Sequence, residues 1–160
     1  MEIQIDSLDF DKITIRDKNN DTTELSIQDD LRINEINLSK EMMEQSAKFS
    51  YWANLHEIVK RYHEAEQRKL ETIGSHLNLQ YRAQYEKNGK KPTKDMIDSS
   101  ITIDQNYQDQ AKNVEDWAYK ENQLKYVVKA FEQRMQMLIS IGAEQRQTNK
   151  NGGITNQYSY

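Results

Sequence analysis

The chain has 160 residues, of which 36% are hydrophobic and 30% are charged, and its mean hydropathy is −1.02. A compact globular domain usually carries roughly 45–50% apolar residues, so this chain has too little apolar material for a thick core. The absence of cysteine excludes disulfides, thiolate metal sites and a cysteine nucleophile. No apolar run reaches the roughly 20 residues of a membrane span, and the first residues lack the features of a signal peptide. We therefore expect a soluble, cytoplasmic protein with no membrane partner.

Residues 1–36 form an acidic segment in which apolar and polar residues alternate with a period of two. The alternation covers residues 13–16 and 23–27, and residues 17–21 between them tolerate turn dihedrals. This pattern predicts a small β-hairpin, with Ile3 and Ile5 as candidates for a third strand. Because short strands are only marginally stable alone, we expect the hairpin to pack against another part of the protein.

From Ser39 onward the apolar residues recur at steps of three and four, which is the spacing of an amphipathic helix. Gly89 and Pro92 stop the first helix, and Asp104 is a good N-cap for a second one. The predicted elements are a helix over about 39–86, a short turn over 93–98, a break over 99–102 and a helix over about 104–146. Together they predict a mainly α-helical protein. In this prediction residues 37–148 form a long antiparallel helical hairpin that resembles a coiled coil, and residues 149–160 form a disordered tail.

An apolar stripe along both helices is the predicted seam of the hairpin, and its main members are Trp52, Leu55, Val59, Trp117, Leu124, Val128, Phe131 and Leu138. Other apolar residues, among them Tyr51, Tyr126 and Ile139, make the stripe wider than one seam requires. Self-association covers such surface and stabilises a thin protein. We therefore predict a homo-oligomer.

The sequence gives little support for an enzyme, a metal site or a cofactor. A di-metal site on helices would place a glutamate three residues before each histidine, and Ala53, Lys60 and Ile73 hold those positions before His56, His63 and His76. No glycine-rich loop follows a strand to hold a phosphate. His63 and Glu66 could share a cation weakly, but a solvated histidine is the simpler interpretation.

Basic residues alternate with tyrosines near the end of the first helix. Residues 60–94 carry nine bases and four acids, although acids outnumber bases in the whole chain. Cations that neutralise phosphates beside rings that stack on unpaired bases are typical of single-stranded DNA binding. The candidate DNA-binding residues are Arg61, Arg68, Lys69, Tyr81, Arg82, Tyr85, Lys87, Lys90 and Lys91. The alternative is that Tyr81 and Tyr85 belong to the seam and that the lysines only solvate a turn.

The order of these features resembles the recombination mediators of tailed phages, the UvsY type. The resemblance covers about residues 27–147. It is carried by the segments 27–36, 49–56, 77–89 and 96–98, by Asp104 and by the closing helix with residues 124–126 and 134–135. Residues 1–26 have no counterpart in the family, and its basic motif is reduced here to Arg82.

The resemblance implies a ring, which is heptameric in the best-known member of the family. It also implies that the protein binds single-stranded DNA and helps a RecA-like recombinase to displace the phage single-strand-binding protein. A phage-encoded protein of this kind would act in the host cytoplasm. The alternative from another class is a structural coiled-coil adaptor, such as a phage assembly or scaffold protein, which does not bind nucleic acid.

Overall fold

The protein is mainly α-helical and has a small antiparallel sheet near its amino terminus, as predicted. A computed structural model describes residues 4–8, 11–16 and 19–154, and the side chains of residues 11–16 and 19–150. In chain order the elements are β1 (Gln4–Leu8), β2 (Lys12–Arg16), β3 (Thr22–Ser26), α1 (Ile27–Leu31), a 3-10 turn (Glu35–Asn37), α2 (Leu38–Lys87), α3 (Lys94–Thr102) and α4 (Gln105–Ile154). None of the helices in the described part of the chain is both long and apolar enough to span a membrane.

The chain divides into two compact units, and both long helices contribute residues to each of them. Unit 1 consists of residues 1–56 and 124–160, and unit 2 consists of residues 57–123. In both units α2 and α4 lie side by side and run in opposite directions, because later residues of α2 meet earlier residues of α4: Glu41 contacts Arg134 and Gln45 contacts Phe131 in unit 1, and Glu66 and Tyr81 contact Gln110 and Asp104 in unit 2. The predicted antiparallel pairing is therefore present within each unit.

The sheet of unit 1 has the order β1-β2-β3, with both pairs antiparallel. The predicted hairpin is formed by β2 and β3, in which Ile13 pairs with Leu25 and Ile15 with Thr23. β1 adds the third strand and contains Ile5, whereas Ile3 lies outside the described residues. In the connection from β2 to β3, Asn20 has a φ of +70°, a left-handed conformation that asparagine tolerates better than most residues. Ile13 and Ile15 point to the same face of β2 and are buried there.

Helix α1 follows the sheet without a connecting loop and was not predicted. The Ser26 hydroxyl caps it by accepting a hydrogen bond from the Asp29 backbone N–H at 3.2 Å. Asp11, just before β2, accepts from the Gln28 N–H at 3.0 Å and through its carbonyl from the Ile27 N–H at 2.8 Å. The sequence signal was present, because a serine followed by acids in the first turn is typical of a helix start.

The core of unit 1 contains most of the predicted seam. The Trp52 ring stacks on Phe131 with 6.2 Å between centroids, and its Nε1–H donates to Asp30 at 3.0 Å. Of the predicted seam residues in this unit, Val128 is half-buried and the others are buried, namely Trp52, Leu55, Leu124, Phe131 and Leu138. Burial of each large apolar side chain contributes roughly 1.5–3 kcal/mol, so this seam is the main source of stability in unit 1.

The core of unit 2 contains fewer buried apolar side chains than that of unit 1. Val59, Leu77 and Ile97 are buried there. Trp117, another predicted seam residue, is half-buried and stacks on Tyr62 with 5.0 Å between centroids. The aromatic pair thus replaces part of the aliphatic packing of an ordinary seam.

Two helix boundaries differ from the prediction. α3 continues through residues 99–102, where a break was predicted. Inside this helix the Ser100 and Thr102 hydroxyls donate to the carbonyls of Met96 and Asp98, four residues earlier, so both hydroxyls are satisfied without leaving the helix. The buried Ile97 holds this helix in unit 2. α4 continues to Ile154, although a disordered tail was predicted from residue 149 onward. No proline interrupts residues 147–154, and residues 155–160 of the predicted tail lie outside the described residues.

Candidate nucleic-acid interface

A basic turn closes α2 in unit 2, and we call residues 82–94 the basic tip. Gly89 has a φ of +71°, its N–H bonds to the Glu86 carbonyl at 2.9 Å, and the Lys90 N–H bonds to the Tyr85 carbonyl at 3.0 Å. This pair of bonds is the Schellman arrangement, in which a left-handed glycine ends a helix. The reversal places the lysines that follow on the outside of the turn.

The cations of the basic tip are exposed. Residues 82–94 contain five bases and one acid. Arg82 donates its Nε–H to the Asn78 side-chain oxygen at 2.8 Å, which orients the guanidinium without neutralising it. Within the described part of the chain none of these five cations forms an ion pair, and all are exposed: Arg82, Lys87, Lys90, Lys91 and Lys94. The tip therefore has unneutralised positive charge.

The two tyrosines of the predicted site are held by their hydroxyls. The Tyr81 hydroxyl donates to the Asp104 carboxylate at 2.8 Å, and the Tyr85 hydroxyl lies 3.4 Å from the Ser100 hydroxyl. The hydrogen bond to Asp104, with a smaller effect of burial, raises the pKa of Tyr81 above its ordinary value. Both rings are half-buried. These contacts favour packing over base stacking for Tyr81 and Tyr85.

The Asp104 carboxylate accepts three hydrogen bonds, although Asp104 was predicted only as a helix cap. One carboxylate oxygen accepts from the Asn106 and Tyr107 backbone N–H groups at 3.0 and 3.3 Å, which is the N-cap geometry. The other oxygen accepts from the Tyr81 hydroxyl. A single carboxylate therefore joins the start of α4 to the carboxyl-terminal part of α2.

The other predicted cations lie earlier on α2. Arg61 and Arg68 are exposed and form no ion pair with a described residue. Lys69 lies 2.5 Å from the Glu66 carboxylate, so its charge is partly neutralised. Arg68 and Lys69 border an open groove of about 440 Å³, whose other polar members are Thr72 and Gln110. The strongest unneutralised charge in unit 2 is consequently at the basic tip.

Glu66 is the centre of a polar network that sequence reasoning missed. Its carboxylate accepts from Gln110 at 2.9 Å, from Asn113 at 2.7 Å and from Lys69 at 2.5 Å. Hydrogen bonds from Gln110 and Lys69 lower the pKa of Glu66 below its ordinary value, although burial opposes them. Polar residues on a helix face are normally solvated, so no local pattern in the sequence indicates that Glu66, Gln110 and Asn113 meet.

The histidine prediction needs a correction. His63 is half-buried and its Nδ1 lies 2.6 Å from a carboxylate oxygen of Glu121, so it is not a solvated side chain. Glu66, the predicted co-ligand, is occupied by the network described above. Among the described residues no group of three or more histidine, aspartate or glutamate side chains is arranged to hold a metal ion.

A comparison of the chain with protein-family models, with curated proteins and with solved structures found no match. The fold places the protein in the class of mainly α-helical proteins with two long helices and a small sheet. The UvsY resemblance stays a prediction.

Proposed function

We propose that this protein is a homo-oligomeric, single-stranded-DNA-binding recombination mediator that helps a RecA-like recombinase to replace single-strand-binding protein on DNA. The observation that carries the proposal is the basic tip, where five exposed cations lie within thirteen residues and form no ion pair with a described residue. Phosphate binding with release of counterions is the interaction that such a surface favours. The order of sequence features shared with the UvsY type gives the proposal its biological role.

Self-association is supported by an apolar groove in unit 1. The groove has a volume of about 800 Å³ and lies between the early part of α2 and the late part of α4. Large apolar side chains on both helices line it, namely Met42, Phe49, Met135 and Ile139. The two residues on α2 are seven positions apart and the two on α4 are four positions apart, which is the spacing of a second coiled-coil seam. A second copy of the chain would cover this surface, and the resemblance suggests a ring with several copies.

The alternative function is a structural coiled-coil adaptor without affinity for nucleic acid. One observation favours it: the hydroxyl bonds of Tyr81 and Tyr85 give both rings a packing role in unit 2. On this interpretation the lysines of the tip only keep the turn solvated. The adaptor and the mediator therefore differ in whether the tip cations contact phosphates.

A salt titration distinguishes the two functions. Oligomers of intact mass are titrated with fluorescent single-stranded DNA at several salt concentrations. The test variant changes Arg82, Lys87, Lys90 and Lys91 to glutamine. For single strands each phosphate contact contributes about 0.7 to the log–log salt slope, so the slope should fall by up to about 2.8 for each subunit in contact.

The matched control removes cations that are already neutralised in the structure. Lys12 pairs with Glu24, Lys40 with Glu44, and Lys48 lies near both Asp30 and Glu44. Changing these three lysines to glutamine should leave the slope nearly unchanged. If wild-type protein shows no DNA binding at low salt, the mediator function is wrong and the adaptor is the candidate that remains. A second assay measures whether the protein speeds the loading of a RecA-like recombinase onto DNA covered by single-strand-binding protein.

A further inference from the structure

Tyr126 on α4 is the most exposed aromatic side chain that the structure describes, with 66% of its surface accessible. Lys125 precedes it, and Lys129 lies three residues further along the helix, and both lysines are exposed. Side chains three residues apart on a helix are neighbours, with about 5–6 Å between their Cβ atoms. One exposed face of unit 1 thus combines an aromatic ring with two cations.

The charge of this face is not neutralised by the protein. Neither Lys125 nor Lys129 forms an ion pair with any residue in the described part of the chain. Like charges four residues apart on a helix repel, and a bound anion between them removes that repulsion. Residues 125–150 contain five bases and two acids. Of the bases, only Arg134 is buried, where it pairs with Glu41.

The chemistry of this face favours one kind of ligand. An apolar protein surface would have to bury two unpaired ammonium groups, which is costly. A single DNA strand instead offers phosphates to the lysines and the flat face of a base to the ring. Tyr81 and Tyr85 are poorer stacking partners, because they are half-buried and their hydroxyls are engaged.

We propose that Lys125, Tyr126 and Lys129 form a contact site for single-stranded DNA, in which a base stacks on Tyr126 and the adjacent phosphates pair with the two lysines. The site rests on the proposed function, and adds to it a stacking position outside the basic tip. No bond is made or broken, so the site provides affinity only.

The test uses the full-length protein and a fluorescent oligothymidylate at several salt concentrations. Loss of one stacked base corresponds to a five- to 150-fold weaker Kd, so Tyr126→Leu should fall in that range with an unchanged salt slope. Tyr126→Phe keeps the ring and should bind like wild type. Changing Lys125 and Lys129 to glutamine should reduce the slope by about 1.4 for each subunit in contact, at 0.7 for each phosphate.

Tyr119→Leu is the matched control. Tyr119 lies on the same helix and is 59% exposed, but the side chains three and four residues before it are the acids Asp116 and Glu115. Its replacement should leave DNA affinity within about twofold of wild type. Cross-linking to an oligonucleotide with 5-iodouracil, followed by mass spectrometry, should mark Tyr126 and not Tyr119.

The outcomes separate this site from the proposed function. If Tyr126→Leu binds like wild type while the variant of the basic tip shows a reduced slope, the site is wrong and the proposed function stands. A change of oligomer mass in Tyr126→Leu would also overturn the site, because the Tyr126 side chain would then belong to a contact between copies of the protein. If wild-type protein does not bind the oligonucleotide at low salt, both proposals are wrong.

Discussion

Arg134 is the most deeply buried charged side chain that the structure describes, with 2% of its surface exposed. Its guanidinium pairs with Glu41, donates to the Gln45 side-chain oxygen, and also donates to the carbonyls of Leu31 and Arg32 at 3.1 and 3.2 Å. The end of α1 and the residue after it are thereby attached to both long helices within unit 1. A buried cation of this kind is tolerated because one partner is a carboxylate of opposite charge and the others are oxygen atoms that accept its remaining hydrogen bonds.

Replacing Arg134 with methionine should lower the free energy of unfolding by up to about 3–5 kcal/mol, because Glu41, whose side chain is only 13% exposed, would remain without its cation. The measurement is urea denaturation followed by tryptophan fluorescence. Arg146→Met, at an exposed position of the same helix, should change stability by less than about 0.5 kcal/mol. Equal stability of the two variants would show that the Arg134 network contributes little.

Glu66 gives the protein a predictable response to acid. Its pKa is lowered in the folded state, chiefly by the hydrogen bonds from Gln110 and Lys69. A carboxyl group whose pKa is lower in the folded than in the unfolded state stabilises the fold fully when the pH is above its unfolded-state pKa, which is 4.5 for glutamate. This stabilisation is lost as the pH falls through the folded-state pKa. The unfolding free energy should therefore decrease below about pH 4.5 in wild type and less steeply in Glu66→Gln. Glu64→Gln, at an exposed position on the same helix, should follow the wild-type curve.

Among the elements, α2 has one glycine inside the helix and one just after its end, and the two glycines have opposite effects on stability. Gly89 ends the helix in a left-handed conformation, and no atom lies near the position of an added Cβ. Gly74 lies inside the helix, and an added Cβ would meet only the Tyr107 ring at 3.4 Å. Gly89→Ala should lower stability by about 1–2 kcal/mol through backbone strain, whereas Gly74→Ala should raise it by up to about 1 kcal/mol through helix propensity.

Thermal unfolding measured by circular dichroism tests this pair of glycines. Both variants add one methyl group, so their difference isolates the backbone conformation. Destabilisation by Gly74→Ala would mean that the Tyr107 ring cannot move by the few tenths of an ångström that the methyl group requires. In that case the contact with the Tyr107 ring, and not the helix propensity of alanine, determines the change in stability.

The elements follow from the sequence where the signal is local. Helix periodicity, the stop at Gly89 and the cap at Asp104 all depend on neighbouring residues, and the structure contains each of them. Apart from the Lys69 contact, the Glu66 network and the Arg134 contacts join residues 44 to 103 positions apart, which no local pattern encodes. The candidate interface was predicted in the same way: its cations could be located from the sequence, but the occupied hydroxyls of Tyr81 and Tyr85 could not.

At the scale of the whole molecule, the apolar groove of unit 1 leads to a test of self-association. Met135 lines the groove and is 44% exposed. Sedimentation at micromolar concentration should show a large discrete species for wild type, and Met135→Lys should shift it toward the 19.0 kDa monomer because a buried ammonium group is costly.

Met43→Lys is the control for this experiment, because Met43 is exposed on α2 but does not line the groove. It should sediment like wild type. A wild-type protein that sediments as a clean monomer would contradict both self-association and the ring. If both variants dissociate, the contact between copies extends beyond the groove.

The two tryptophans are divided between the units, and this gives each unit its own optical reporter. Trp52 in unit 1 is fully buried against Phe131, whereas Trp117 in unit 2 is half-buried, with the Lys120 ammonium 4.5 Å from its ring centroid. Their emission should differ, because a buried indole emits at shorter wavelength than one near water and a cation. Trp52→Phe and Trp117→Phe each leave a single emitter. Denaturation curves of the two variants would coincide if the units melt as one and separate if one unit opens first, so the pair measures the cooperativity of the chain directly.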